Sequence, residues 1–228
     1  MAPVIPEREE AALPAESKAD QAYRILREGL GRGEFLPGHR LVIDQLVRAH
    51  DISSVPWREA IRRLEAERWV EIIPNAGAVV RPVGEDERRS TMRILARLEP
   101  LAIALAADRL TPTDLTQARE LNKDARRALA DFDAARHAAL VRDLRSLLRS
   151  RCPDARLVAM VDEEALRLEL ADRVSPAHAP GRVAASFDEH AELLDLIDAG
   201  ASPERIEAVA REHLERTLGA LEATSALG

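Results

Sequence analysis

Apolar residues recur at helical spacing in three stretches near the start of the chain: 18–30, 43–49 and 56–68. Glycine and proline end the first stretch, and a short polar turn separates the second from the third. Two β-type runs follow, at 69–73 and 78–80, joined by a Pro-Asn-Ala-Gly turn. Helix, helix, turn, helix and hairpin in this order predict a winged helix-turn-helix of three helices plus a small β-hairpin.

From Glu85 onward the pattern changes to a succession of helices rich in Ala, Leu and Arg, with no further strand signal. The helices are broken by proline or glycine near 111–112, 152–153, 176–180 and 200–203. We therefore predict a mainly α protein in which an all-α antiparallel bundle of six or seven helices follows the winged helix. The predicted divisions are a disordered tail 1–15, a DNA-binding domain 16–82, a linker 83–89, an effector-binding and dimerisation bundle 90–222 and a tail 223–228.

Composition narrows the class of protein. The hydrophobic fraction of 46% can supply cores, and no apolar run is long enough to span a membrane. A single cysteine, Cys152, excludes an intrachain disulfide and a cysteine-based zinc cluster, so we expect a cytoplasmic protein. The net charge of -7 is unusual for a DNA-binding protein, but residues 16–82 are nearly balanced and the acidic excess lies in the second part.

Three sequence blocks closely resemble the GntR family of regulators. They are G-E-F-L-P-G-H-R-L at 33–41, I-S-S-V-P-W-R-E-A-I-R-R-L-E at 52–65 and I-P-N-A-G-A-V-V at 73–80. The helical remainder resembles the FCD domain of the FadR subfamily, through Leu98-Glu99 and through Glu189-His190 with a later His213. The resemblance implies a transcriptional regulator that binds double-stranded operator DNA as a homodimer, binds a small-molecule effector and makes no contact with a membrane.

Seven residues of the predicted head are candidates for DNA contact: Arg40, Ser53, Ser54, Arg58, Arg62, Asn75 and Gly77. On the third helix, Ser54, Arg58 and Arg62 are four residues apart and share one face, which can enter a major groove. The resemblance assigns Arg58 to the recognition helix, Arg40 to the DNA backbone, and Asn75 with Gly77 to the wing. Ser54 stands where family members usually carry an arginine, so we expect operator affinity or sequence to differ from that of relatives.

In the predicted bundle, His190 and His213 lie on the apolar stripes of two successive helices, so both rings should point inward. An inward histidine is often an ordinary core residue, but two on adjacent helices favour a site. The resemblance implies that many FCD domains hold a divalent metal with these two histidines plus an Asp and a His four residues apart on an earlier helix. Here those two earlier positions fall on Val141 and Arg145.

Neither Val141 nor Arg145 can ligate a metal, because a guanidinium is permanently charged and has no lone pair to offer. Asp133 and His137 form the required spacing eight residues upstream, but that offset is about 12 Å along a helix. We therefore favour no metal cofactor and predict an effector site of Arg145, His190 and His213, with Arg145 forking onto an effector carboxylate. A divalent metal held through His190 and His213 is the alternative.

These observations predict a sequence-specific DNA-binding regulator, a repressor whose operator binding is modulated by a small, carboxylate-bearing effector, and not an enzyme. Two other readings stay open. One is an enzyme built on the bundle, although no paired carboxylates, nucleophile elbow or phosphate loop is present. The other is a dimerising scaffold that has lost its ligand.

Overall fold

The computed structural model describes residues 16–74, 77–174 and 180–225, and it divides the chain after Arg81 into two compact units. The predicted tail 1–15 lies outside the described residues. Within those residues no helix has the length and apolar character that crossing a membrane requires.

The first unit contains three helices and a three-stranded antiparallel sheet of order β1-β3-β2. The elements are α1 (Lys18–Arg32), β1 (Arg40–Leu41), α2 (Ile43–His50), α3 (Ser54–Ala66), β2 (Val70–Ile73) and β3 (Gly77–Val80). The predicted winged helix-turn-helix is confirmed. Sequence analysis missed β1, because a strand of two residues is too short to show an alternating pattern.

Local signals explain the limits of the helices in this unit. The Ser17 side chain caps α1 by accepting from the Asp20 backbone N–H at 3.0 Å, and Gly33 ends it with a left-handed φ of 75°. Trp57 is fully buried, and its indole N–H donates to the Ile52 carbonyl at 3.1 Å. This bond ties the start of α3 to the turn that precedes it and so sets the angle of the helix.

The second unit contains six α-helices within the described residues. They are α4 (Glu85–Ala106), followed by a 3-10 turn (Ala107–Arg109), α5 (Pro112–Ala130), α6 (Ala134–Arg149), α7 (Ala155–Val174), α8 (Pro180–Asp198) and α9 (Pro203–Ser225). The predicted bundle is confirmed. One core cluster joins side chains from α4, α5, α6, α8 and α9, among them Leu144, Leu194 and Ile206.

Two predicted boundaries are wrong, and one break between helices was missed. Most of the predicted linker 83–89 is helical, because α4 begins at Glu85 and three acidic residues in its first turn stabilise the positive end of the helix dipole. Helix α9 continues to Ser225, so the predicted tail 223–228 is too long. The break between α5 and α6 was not predicted, since it contains neither proline nor glycine and Phe132 takes the left-handed conformation instead, with φ 59°.

Candidate DNA interface and effector site

An open cleft of about 520 Å³ in the first unit gathers residues from α2, α3 and the sheet. Arg58 and Arg62 of α3 line one side of the cleft, and Arg40 of β1 and Gly77 of β3 line the other. Strand β1 pairs with β3 through Arg40 opposite Val79, which brings Arg40 to the base of the wing. One acidic residue, Asp44, also lines this cleft.

The three arginines of this cleft are solvent-exposed. In the part of the chain that the structure describes, no carboxylate pairs with Arg40, Arg58 or Arg62. Three other arginines of the same unit are neutralised: Arg24 and Arg32 by nearby glutamates, and Arg63 by Asp20 at 3.1 Å. The cleft therefore gathers three exposed arginines that no carboxylate of the described residues neutralises, and a polyanion can bind them together.

The N-terminus of α3 adds neutral donors near the same helix face. Ser53 is the N-cap residue, is exposed, and makes no side-chain capping bond, so its hydroxyl is available. The first N–H groups of any helix have no partner inside the helix, and together with the helix dipole they favour a phosphate. Ser54 follows as the first helical residue and is partly buried.

The structure thus brings together four of the seven predicted DNA-contact residues, namely Arg40, Arg58, Arg62 and Gly77, around one cleft. Ser53 and Ser54 lie at the start of α3, and Asn75 is outside the described residues. Gly77 has a φ of 86°, and a Cβ there would lie 3.6 Å from Arg40 Nε. A larger residue would be strained by the positive φ, although its Cβ would make only ordinary van der Waals contact with that arginine.

The two predicted bundle histidines do point inward, with ring centroids 4.7 Å apart. His190 is 4% exposed, and its Nδ1 lies 3.2 Å from Asn122 Oδ1. The Asn122 amide nitrogen donates to the Phe187 carbonyl, so its oxygen faces the imidazole and accepts from Nδ1–H. Burial holds the pKa of His190 well below its ordinary value, and electrostatic interaction with His213 and Arg145 acts in the same direction.

His213 is held by a carboxylate on the neighbouring helix. Its Nδ1 donates to Glu189 Oε2 at 2.6 Å, and Arg182 donates to the same carboxylate oxygen and to the His213 carbonyl. Burial raises the pKa of Glu189, but hydrogen bonds from His213, Arg182 and Arg216 outweigh it and lower the pKa to about 2. Burial lowers the pKa of His213 despite the bond to Glu189. Both imidazoles are therefore neutral near pH 7, and each keeps Nε2 as an acceptor.

The expectation of a guanidinium ready to fork onto an effector is wrong, because Arg145 already forks onto a carboxylate of the chain. Its Nε lies 3.0 Å from Glu99 Oε1 and 3.1 Å from Oε2, and its Nη2 also donates to Glu99. Glu99 is 1% exposed and receives Arg149 as well, which in turn binds Asp162 at 2.6 Å. Burial raises the pKa of Glu99, but the two guanidiniums overcome this and leave it lowered.

Sequence reasoning missed the partners that fix these groups: Glu99, Asn122, Arg149, Asp162, Arg182 and Glu189. Glu99 and Glu189 stood in the motifs that carry the family resemblance, but nothing in their spacing showed which side chain each one binds. Most of these pairs join residues 24 to 68 positions apart; Arg149 with Asp162 and Arg182 with Glu189 are closer in the sequence. Only the packing of the helices brings them into contact.

The surroundings of the two histidines carry a permanent positive charge. Arg145 places its positive charge in the network beside both histidines, and it lowers the pKa of each of them. Asp133 is not a ligand either: it caps α6 by accepting from the Arg136 N–H, while His137 bonds to the Ala125 carbonyl through Nδ1. Among the described residues, no three His, Cys, Asp or Glu side chains are grouped so that they could hold a metal.

Comparison with known proteins finds a matching family model for each of the two units. The model for bacterial regulatory proteins of the gntR family matches residues 18–80, and the FCD domain model matches residues 90–216. The chain is 35% identical over 101 residues to the HTH-type transcriptional regulator McbR of Escherichia coli (strain K12), which covers 44% of this chain and 46% of McbR. It is 31% identical over 87 residues to the HTH-type transcriptional repressor GlaR of the same strain, covering 38% and 40%.

The matched region spans less than half the length of either curated relative. Solved structures cover far more of the chain. The structure of E. coli McbR/YncC aligns with a TM-score of 0.72 at 25% identity, over 92% of this chain and 99% of that one. A GntR regulator from Rhodococcus sp. RHA1 aligns with a TM-score of 0.65 at 20% identity, over 90% and 98%. The second likeness shows a shared fold.

Proposed function

The chain belongs to the GntR family of bacterial regulatory proteins and carries an FCD domain, and from this membership we propose that it is a sequence-specific DNA-binding transcriptional regulator. It acts as a homodimer, in the cytoplasm where bacterial operator DNA lies, and represses transcription until an effector binds the bundle. Two heads related by a two-fold axis read a pseudo-palindromic operator, one half-site each.

The observation that carries the proposal is the distribution of arginine partners in the first unit. Arginines that line the cleft are exposed and have no carboxylate within reach in the described residues, whereas Arg24, Arg32 and Arg63, which do not line it, are paired. Phosphate neutralisation by basic side chains supplies most of the affinity of a protein for DNA. The overall charge of -7 therefore does not oppose binding, because the acidic excess lies outside this surface.

Adjacent arginines of α3 offer a matched test. Arg62 lines the cleft, while Arg63 points away and is paired with Asp20. The probe is a duplex selected from a random-sequence pool by the wild-type protein, with affinity measured over a range of salt concentrations. Arg62→Ala should weaken binding and reduce the salt slope by about 0.9 for the lost phosphate contact, while Arg63→Ala should change both little.

Two outcomes would overturn the proposal. One is failure of the wild-type protein to enrich any duplex from the pool. The other is equal loss of affinity in the two variants, which would mean that the cleft is not the DNA surface. Circular dichroism of each variant shows whether the unit is still folded.

We propose that the effector binds beside His190 and His213. Their Nε2 atoms accept hydrogen bonds from it, because each Nδ1–H is already bound to Asn122 or Glu189. A carboxylate on the effector has to compete with Glu99 for Arg145. Since Glu99 lies on α4 and Arg145 on α6, such a ligand would loosen the connection between these helices.

The test is a thermal-shift screen of small carboxylic and hydroxy acids against the wild type and a His190→Asn, His213→Asn variant. A ligand that stabilises the wild type and not the variant supports this site. A ligand that stabilises both proteins equally binds elsewhere and contradicts it. Turnover of such a ligand would favour the enzyme reading, which the regulator proposal excludes.

We propose further that the bundle holds no resident metal. What supports this is Arg145, which is forked onto Glu99 and is close enough to lower the pKa of both histidines. Metal analysis of protein purified without chelator should find well under one metal per chain, and one tightly bound metal per chain would contradict the proposal. Replacing Val141→Asp and Arg145→His together should create tight Ni²⁺ or Zn²⁺ binding that titrates with a rise in melting temperature.

A further inference from the structure

Val55 is the most exposed large hydrophobic residue in the described part of the first unit, with 66% of its surface open to solvent. It is the second residue of α3 and lies between Ser54, which is partly buried, and Pro56. A single exposed apolar side chain is common on protein surfaces and by itself indicates no function. What sets Val55 apart is the face of α3 on which it lies.

Val55 shares its helix face with the two arginines of α3 that line the cleft. At about 100° per residue, Val55, Arg58 and Arg62 lie within about 60° of one another around the helix axis. All three are exposed. Val55 lies beyond the lining of the cleft, about 10 Å from Arg62 along the axis, which is the length of about three base pairs. A helix that presents both arginines to a duplex therefore presents Val55 to it as well.

The backbone on both sides of Val55 is held in place. Ile52 and Trp57 are buried, and the Trp57 indole N–H donates to the Ile52 carbonyl across this segment. The ring of Pro56 restricts its own φ to about −65°. Because valine is β-branched and has few rotamers, Val55 presents its two methyl groups in a nearly constant position and loses little entropy on binding.

The methyl groups of Val55 can neither donate nor accept a hydrogen bond, so they cannot bind a phosphate. In the major groove of DNA, the main apolar group is the C5-methyl group of thymine. Contact between Val55 and this methyl group removes apolar surface of both from water. A cytosine at the same place has no methyl group and presents an amino donor, which valine cannot accept.

We propose that Val55 contacts the C5-methyl group of a thymine in the operator half-site and so favours thymine at that position. The inference rests on the proposed function, which places this face of α3 against operator DNA. It adds a residue whose contact depends on the identity of the base. The guanidiniums of Arg58 and Arg62 can bind either a guanine or a phosphate, whereas the side chain of Val55 can bind neither.

Replacement of thymine by uracil removes only the C5-methyl group and therefore tests the contact directly. The probe is the duplex selected by the wild-type protein, in a series in which each thymine in turn is replaced by uracil. Affinity is measured for the wild type and for Val55→Ala. At one thymine of a half-site, uracil should weaken wild-type binding about fourfold, the fold-change expected for one methyl group. The same replacement should change the affinity of Val55→Ala by less than about twofold, because the methyl groups that contact thymine are already missing.

Leu36→Ala is the matched control. Leu36 is also exposed, but it lies in the loop between α1 and β1 and does not line the cleft, so this variant should lose as much affinity with uracil as the wild type does. Any effect of uracil on the flexibility of the duplex is common to all three proteins and cancels in the comparison. Alanine is a better helix former than valine, so Val55→Ala should stay folded, which circular dichroism checks.

The outcomes separate this inference from the proposed function. A wild-type protein that enriches no duplex contradicts both. If the wild type binds a selected duplex, but every uracil weakens the wild type and Val55→Ala equally, the thymine contact is contradicted while the DNA-binding function stands. The same holds for a selected duplex in which no uracil weakens wild-type binding. A loss of affinity with uracil that is abolished in Val55→Ala and kept in Leu36→Ala supports the contact.

Discussion

The two units of this chain use arginine in opposite ways. In the first unit, the arginines of the cleft are exposed and have no carboxylate partner among the described residues. In the bundle, Arg88 is 2% exposed and Arg149 is 6% exposed, and each is paired with an aspartate of α7. Arg145, on the same helix as Arg149, is forked onto Glu99.

The difference follows from solvation. An exposed guanidinium stays hydrated, so leaving it without a carboxylate partner costs little free energy. It can then bind a phosphate, provided that no carboxylate of the chain neutralises it. A buried guanidinium has lost its water and must be compensated within the fold. Arginine therefore indicates a binding surface in one unit and a structural network in the other. The presence or absence of a carboxylate partner distinguishes the two roles.

The largest effect should come from breaking the buried network. Glu99→Ala removes the shared carboxylate of Arg145 and Arg149, so we expect a loss of about 3–5 kcal/mol in the free energy of unfolding of the bundle. Urea denaturation followed by circular dichroism measures it. Glu120→Ala is the control, because its pair with Lys123 is exposed and should be worth under about 1 kcal/mol. Similar losses for the two variants would contradict a stabilising role for the network.

The next effect lies in the head. Arg58→Ala should weaken binding to the selected duplex by about 1–3 kcal/mol if its guanidinium forks onto a guanine. Arg24→Ala, in which the lost arginine is already paired with Glu16 and Glu28, should leave the affinity within about twofold. Fluorescence anisotropy at fixed salt measures both. If the two variants are equally stable in urea, the loss of affinity comes from the missing contact with DNA and not from unfolding.

Protonation should affect the bundle more than the head. Because burial holds the pKa of His190 well below the ordinary 6.5, the unfolded chain binds a proton there that the folded chain does not. The stability is therefore full above pH 6.5 and falls as the pH drops below it. Melting temperature should decrease between pH 7.5 and pH 5.5, and His190→Asn should reduce the decrease. If the melting temperature of that variant depends on pH as the wild type does, His190 is not a source of the pH dependence.

The smallest effect should come from adding an arginine to the head. Ser54→Arg places a charge where family members usually carry one, at the start of α3 and in line with Arg58 and Arg62. If the new side chain reaches a phosphate, the salt slope of binding to a non-selected duplex should steepen by about 0.9. A slope that stays at the wild-type value would show that position 54 does not face the backbone.

Much of the first unit follows from local sequence. The helical spacing of apolar residues, the glycine-proline segment after α1 and the Pro-Asn-Ala-Gly turn predict its order of elements, and the four-residue spacing of Arg58 and Arg62 predicts a shared face. What local sequence missed is β1, whose pairing with β3 brings Arg40 into the cleft. A two-residue strand exists only because its partner strand is there.

In the bundle, local sequence predicted the helices and the inward direction of His190 and His213, since periodicity determines which face of a helix is buried. It also identified Val141 and Arg145 at positions where the resembled family holds a metal. It did not show that Glu99 would pair with Arg145 or that Asn122 would orient His190. Nor did it show that Glu189 would bind His213 and not the adjacent His190. Those contacts join different helices.

The sequence by itself therefore determined the family, the order of elements and the residue types available for chemistry, because helix formation and capping depend on neighbours a few positions away. The tertiary structure decided which arginines are neutralised by a carboxylate of the chain and which are not. Arg58 and Arg145 look alike in the sequence, but the first meets no carboxylate among the described residues and the second meets Glu99, 46 residues away. A charge is compensated through space, and only the packing of the helices fixes the distance between two side chains.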